Sequence, residues 1–149
     1  MVCLGNICRS PIAEGVLQFQ AQQAGLDWVV DSAGTESYHI GKPPHQLSCK
    51  VAAGNHIDIR SQKARQFVPE DFDHFDKIYV MAADVLENVK SMAGEKYRDE
   101  KVDFFLNELF PGENRDMPDP WYGTEKDFHI VYDLIDRTCK KLIEKNTSN

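Results

Sequence analysis

The segment Cys3-Leu4-Gly5-Asn6-Ile7-Cys8-Arg9-Ser10-Pro11 brings a thiol, a guanidinium and a hydroxyl onto a short stretch of chain. Cys3 and Arg9 stand in Cys-x5-Arg spacing, a weak signal by itself. Gly5 within it, Ser10-Pro11 behind it and a helical pattern directly after make it specific. A loop entering a helix N-terminus aims several backbone N–H groups at one point, and the helix dipole adds partial positive charge there. Such a nest suits a dianionic phosphoryl group. It equally suits a thiolate, the nucleophilic form of cysteine. Arg9 offers a planar fork for two phosphoryl oxygens, which lysine cannot match. Ser10 is near enough in sequence for its hydroxyl to reach the Cys3 sulfur. The chemistry indicated is attack by Cys3 on phosphorus, with Arg9 holding phosphoryl oxygens.

Helical patterns alternate with short apolar runs, the order of an α/β domain with a parallel sheet. Ser10 to Ala24 reads as a helix, with Ser10 as N-cap, Pro11 at the first helical position and Gly25 as the stop. Trp28-Val29-Val30 reads as a strand core and Glu36 to Pro44 as a loop. Gln46 to Ala53 reads as a second helix. Lys77 to Met81 is a buried strand, Asp84 to Met92 a helix and Val102 to Leu106 a further strand. After a Pro-rich turn at 116–120, a last helix starts near Thr124 and presents Phe128, Val131, Ile135, Cys139 and Leu142 on one face. Lys145 to Asn149 is expected to fray. Only Met1 and Val2 precede Cys3, so the first strand is either unusually short or begins upstream.

The bulk properties narrow the function classes. A chain of 149 residues with 42% hydrophobic and 28% charged residues fits one globular domain, 1–149. The net charge of −7 argues against nucleic-acid binding through a global positive field, so an anionic ligand needs a local positive site. No apolar run reaches membrane-span length and no secretion signal is visible, so a cytoplasmic location without a membrane partner is expected. Cys3, Cys8, Cys49 and Cys139 read as reduced thiols, with Cys49 and Cys139 in the core. No Cys or His spacing indicates a metal, and the scattered His39, His45, His56, His74 and His129 read as solvated or structural.

Cys-Leu-Gly-Asn-Ile-Cys-Arg-Ser-Pro resembles the phosphate-loop signature of the low-molecular-weight protein tyrosine phosphatases. The resemblance extends to Asp31-Ser32-Ala33-Gly34-Thr35, Gly41-Lys42-Pro43-Pro44, Ala64-Arg65-Gln66 and Asp119-Pro120-Trp121-Tyr122-Gly123. It implies a four-stranded parallel sheet of flavodoxin-like winding, helices on both faces and the phosphate loop between first strand and first helix. Loops after the first and fourth strands would then meet, joining Cys3 and Asp119.

The resemblance also implies roles. Asp119 matches the general acid, in preference to Asp116 or Asp127, and its flanking Pro118 and Pro120 stiffen the backbone that presents it. Tyr38, Trp121 and Tyr122 correspond to aromatic walls of the substrate cleft, which would stack on a phosphotyrosine ring. Leu4, Gly5, Asn6, Ile7, Cys8 and Ser10 complete the substrate-binding loop, with Leu4 and Ile7 tuning specificity. A branch acting on phosphoarginine carries Thr where Ile7 stands, so Ile7 favours an aromatic substrate. Asn6 and Ser32 match residues bracing the loop, and Gln62 stands where the family often has His. Cys3 and Cys8 are implied to form a reversible protective disulfide. No cofactor is implied. The expected partners are phosphotyrosine proteins and oxyanions such as phosphate, and the expected state is a monomer or weak dimer. Arsenate reductases share the loop but need relay thiols, and a phosphoprotein-binding module would leave Cys3 and Asp119 without purpose.

Overall fold

The computed structural model describes residues 1–147. Four strands, β1 (Val2–Cys3), β2 (Ala33–Gly34), β3 (Ile78–Val80) and β4 (Val102–Phe104), form one sheet in the order β2-β1-β3-β4. Every pairing is parallel, with Val2 beside both Ala33 and Val80, and Val80 beside Phe104. The helices are α1 (Arg9–Gln23), α2 (Gln46–Gly54), α3 (Asp71–His74), α4 (Ala83–Ala93) and α5 (Glu125–Thr147).

Alternation along the strands divides the core into two layers. Cys3, Tyr79, Met81 and Phe105 join the layer of α1, α2 and α5, with Ile12, Val16, Val51, Phe128 and Ile135. Val2, Ile78, Val80 and Phe104 point the other way and join Phe72 of α3 with Val85 and Val89 of α4. This is the expected flavodoxin-like α/β fold. The chain leaves β1 towards β2 on one side and returns to β3 on the other, so a crevice opens at the carboxyl end of β1.

Several element expectations are corrected. Trp28–Val30 is not a strand. The Gln18 amide takes its backbone groups instead, donating to the Trp28 carbonyl at 2.8 Å and accepting the Val30 N–H at 3.0 Å. The strand forms three residues later, at β2. Helix α1 starts at Arg9 with Cys8 as N-cap, and no side chain caps it. The strand expected to reach Leu106 stops at Phe104 and tightens into a 3₁₀ turn, Phe105–Glu108. Lys145–Thr147 remain helical, and Lys145 Nζ lies 3.1 Å from both Glu108 carboxylate oxygens. Ser148 and Asn149, the rest of the expected frayed tail, lie outside the described residues.

β1 has two residues, and the Met1 ammonium donates to the Asp31 carbonyl at 3.0 Å. A cavity of about 860 Å³ lies beside it, lined among others by Trp28, Val30, Ile78 and Leu142. None of the Leu4–Ser10 residues lines that cavity, which sits at the opposite end of β1 from the loop.

Candidate active site

β1 delivers Cys3 and α1 begins at Arg9, so the loop between them must turn within five residues, Leu4–Cys8. Its carbonyls are tied outward. Thr35 N–H donates to the Cys3 carbonyl at 3.1 Å, Glu36 N–H to Leu4 at 2.8 Å and His45 N–H to Ile7 at 2.7 Å. The Ser48 hydroxyl donates to the Cys8 carbonyl at 3.3 Å. In a trans peptide the following N–H lies opposite the carbonyl. The N–H groups of Leu4, Gly5, Cys8 and Arg9 are therefore turned away from those partners. Such outward-tied carbonyls, next to the N-terminus of α1, are what an anion-binding nest requires.

Gly34 permits this turn by its lack of a side chain. A Cβ there would stand 2.8 Å from the Leu4 carbonyl oxygen, 2.9 Å from Asn6 N and 2.9 Å from the Gly5 carbonyl carbon. All three are backbone atoms, which cannot swing away.

A chain of buried polar groups fixes the loop interior. Ser10 Oγ lies 2.9 Å from Cys3 Sγ, and Asn6 N–H donates to the same sulfur at 3.3 Å. Ser10 is thus committed to Cys3 rather than to capping α1, which corrects the expected cap. The Asn6 amide donates to Ser10 Oγ at 2.8 Å and to Ser32 Oγ at 2.9 Å, and its oxygen accepts the Arg65 N–H at 3.0 Å. Ser32 Oγ in turn donates to Glu14 at 2.7 Å. Burial pushes the Glu14 carboxyl up from its ordinary value, and the Ser32 hydrogen bond partly opposes this. Arg65 is held from behind by Asp31 and Asp71, each at 3.1 Å. Asn6 takes φ 57°, a left-handed conformation that asparagine tolerates better than most residues.

Arg9 is 4% exposed. One guanidinium nitrogen donates to the Met117 carbonyl at 2.9 Å, across 108 positions of sequence. Another lies 3.5 Å from an Asp119 carboxylate oxygen. The second Asp119 oxygen accepts the Trp121 N–H at 3.0 Å. Asp119 therefore stands beside Arg9, half-exposed, while Cys3 is buried.

The expected walls are unequal. Tyr38 is 74% exposed and Tyr122 97% exposed, while Trp121 is 39% exposed and lies against the rings of His39 and His45. Leu4 is half-buried. Ile7 is buried in the core layer of α1, so its side chain serves packing as well as the loop. Cys8 is buried, and desolvation together with the neighbouring Cys3 pushes its thiol up to about 12. It remains protonated at neutral pH. All four cysteines are free; Cys139 is core, whereas Cys49 is only partly buried. Gln62 packs against the start of α1. Its amide donates to the Pro11 carbonyl at 3.0 Å, and its oxygen is buried without a hydrogen-bond partner.

Sequence reading passed over Glu14 and the roles of Arg65 and Gly34, and read His45 only as solvated or structural. Glu14 falls one helical turn after Ser10, a spacing that places both on one face of α1. Met117 contributes only backbone to Arg9, so no side-chain signal marks it. Among the described residues, no group of three or more His, Cys, Asp or Glu is placed to hold a metal ion.

Comparison with known proteins bears on the family and the fold. The model of the family described as low molecular weight phosphotyrosine protein phosphatase matches residues 1–149. The low molecular weight phosphotyrosine protein phosphatase of Gallus gallus is 39% identical over 152 aligned positions, which cover 97% of this chain and 92% of the relative. The protein tyrosine phosphatase of Entamoeba histolytica, solved with Hepes in its active site, superposes with a TM-score of 0.88 at 36% identity, covering 97% of this chain and 93% of that one. Wzb of Vibrio vulnificus, solved in complex with benzylphosphonate, gives a TM-score of 0.86 at 31% identity over 97% of this chain and 94% of that one. The chain, in which Asp119 meets Arg9 at the start of the helix after the Cys3 loop, belongs to the low molecular weight phosphotyrosine protein phosphatase family, whose members are protein tyrosine phosphatases.

Proposed function

We propose that this chain hydrolyses phosphotyrosine monoesters through a phosphocysteine intermediate. The Cys3 thiolate attacks phosphorus in line, forming an S–P bond as the bond to the phenolic oxygen breaks. Asp119 gives its proton to that oxygen. Arg9 and the inward N–H groups of the loop bind the equatorial phosphoryl oxygens, where charge must be held in the transition state. Asp119 then takes a proton from the attacking water, the S–P bond breaks, and orthophosphate leaves with the thiolate restored. The observation that carries this reading is the meeting of Asp119 with Arg9, at 3.5 Å, where Arg9 opens the helix that follows the Cys3 loop and Ser10 lies 2.9 Å from the Cys3 sulfur.

The exposed Tyr38 and Tyr122 and the edge of Trp121 offer faces for an aryl ring at the rim. The Vibrio relative takes benzylphosphonate, a phosphonate carried on an aromatic group. Leu4, Gly5, Asn6, Ile7, Cys8 and Ser10 complete the binding loop in this reading. The described residues contain no helix long and apolar enough to cross a membrane. With four free thiols, we place the enzyme in the cytoplasm as one domain, 1–149, acting as a monomer or weak dimer on phosphotyrosine proteins.

The test compares turnover of phosphotyrosine, phosphoserine and phosphoarginine peptides without added metal. Phosphotyrosine is expected to be preferred, with activity abolished in Cys3→Ser and lowered roughly 10²-fold or more in Asp119→Ala. A preference for phosphoarginine would keep the mechanism and reject the aromatic reading of Ile7. No turnover by the intact chain would reject the enzyme.

A further inference from the structure

The residues from Pro118 to Gly123 form neither helix nor strand, yet a general acid must be held in place. Besides the ion pair of Asp119 with Arg9 and the buried Pro120, this segment is attached to the rest of the molecule by the Trp121 indole. The His39 ring lies against it at 5.4 Å between centroids, tilted by 46°. The His45 ring meets it edge-on at 5.5 Å, with 77° between planes. On its other side His45 stacks on Phe128 of α5 at 4.8 Å.

Both histidines are themselves joined to the Cys3–Arg9 loop. The His45 backbone N–H donates to the Ile7 carbonyl at 2.7 Å. Its ring Nδ1 accepts the Leu47 N–H at 3.0 Å and so caps α2. The ring must be neutral at Nδ1 to accept that bond, and burial lowers the His45 pKa in the required direction. His39 sits over Gly5, where an added Cβ would come within 3.0 Å of its ring. A side chain on Gly5 would push His39 away from the loop. Trp121 then passes the alignment on, because its backbone N–H donates to the Asp119 carboxylate at 3.0 Å.

We propose that His39 and His45 are positioning residues that clamp Trp121 and thereby aim the Asp119 carboxyl over the Cys3–Arg9 loop. The inference rests on the reading of Asp119 as general acid. The clamp explains how an exposed, irregular segment keeps a defined geometry. It ties the acid to the loop through rings and backbone rather than through a covalent or helical connection.

The experiment measures kcat/KM for phenyl phosphate and for 4-nitrophenyl phosphate, whose leaving group needs a proton far less. A misplaced acid slows the poor leaving group selectively, whereas general damage to the fold slows both alike. His39→Ala is one variant. His45→Asn keeps an acceptor for the cap and removes the ring; His45→Phe keeps the ring and removes the acceptor. His39→Ala and His45→Asn are expected to lower the phenyl to 4-nitrophenyl ratio about tenfold, and His45→Phe to leave that ratio near wild type. His39 caps no helix, so its variant tests the clamp even where a His45 variant fails to fold. Asp119→Ala runs in parallel as the reference for full loss of the acid. If Asp119→Ala lowers the ratio and His39→Ala and His45→Asn do not, the clamp is overturned while the acid stands. If Asp119→Ala leaves the ratio unchanged, the acid assignment falls and the clamp with it.

Discussion

Asn6 shows how much one side chain in the loop is asked to do. It accepts from Arg65, donates to Ser10 and Ser32, and adopts positive φ. Replacing it with glycine keeps the backbone conformation and removes the amide. Asn6→Gly is expected to lower stability by roughly 1–3 kcal/mol, the cost of leaving buried groups unpaired, and to lower kcat/KM as the Ser10 hydroxyl loses its orientation. Urea denaturation and steady-state kinetics on the same protein check both. Gly34 makes the opposite demand, for the absence of a side chain. Gly34→Ala drives a methyl into three loop backbone atoms, so an overpacking cost of about 1–3 kcal/mol and a displaced loop are expected. An unchanged melting temperature with full activity would contradict that packing. Both residues lie in motifs visible in the sequence, but their tasks were legible only in part. The bracing by Asn6 was expected from resemblance, whereas the reason for Gly34 is a close approach of β2 to the loop.

At the scale of elements, α1 carries the site's machinery on its first turns: Arg9, Ser10 and Glu14. Glu14 gives this helix a pH-dependent contribution to stability. Its carboxyl is raised in the folded protein by burial, so the native state holds the proton to higher pH than the unfolded chain. Between the two values the native state binds more protons, and stability falls as pH rises through that window. The contribution is complete below the unfolded value and lost above the folded one. Glu14→Gln can still accept from Ser32 and no longer titrates. Its gain over wild type in urea midpoint is therefore expected to be larger at about pH 7 than at about pH 4. A gain independent of pH would show that the buried charge is not its source. Elements also show where periodicity misleads. Trp28-Val29-Val30 has strand composition, but the Gln18 amide from α1 occupies its backbone groups and Val29 is 81% exposed. Composition reports what fits a pleated surface and cannot report which partner takes the backbone.

The whole molecule decides Arg9. Its guanidinium reaches the Met117 carbonyl and Asp119, both delivered by the chain after β4. Met117 is set in turn by its N–H donating to Met81 at 2.7 Å, at the end of β3. Thus the winding β2-β1-β3-β4 brings the loop of β1 beside the segment that carries the acid. Arg9→Lys retains charge but cannot hold the Met117 carbonyl while presenting a fork to phosphate. Its kcat/KM is expected to fall about 10²-fold or more, with loss of phosphate protection against thiol alkylation. Activity near wild type would show that charge alone suffices. The net charge of −7 makes this local cation more important, because the surrounding field does not favour a dianion.

Asp119 was singled out by resemblance, whereas local chemistry was readable directly: Cys-x5-Arg with Gly5 inside it, a helix close behind and the αβ alternation. These are short-range patterns in which spacing along the chain determines which groups can face one another. Tertiary structure decided the rest. Ser10 left the helix cap for the Cys3 sulfur, and Gln62 found the Pro11 carbonyl. The rings of His39 and His45, scattered in sequence, closed on Trp121. Such choices belong to groups with several available partners, and only packing of distant segments determines which partner is within reach.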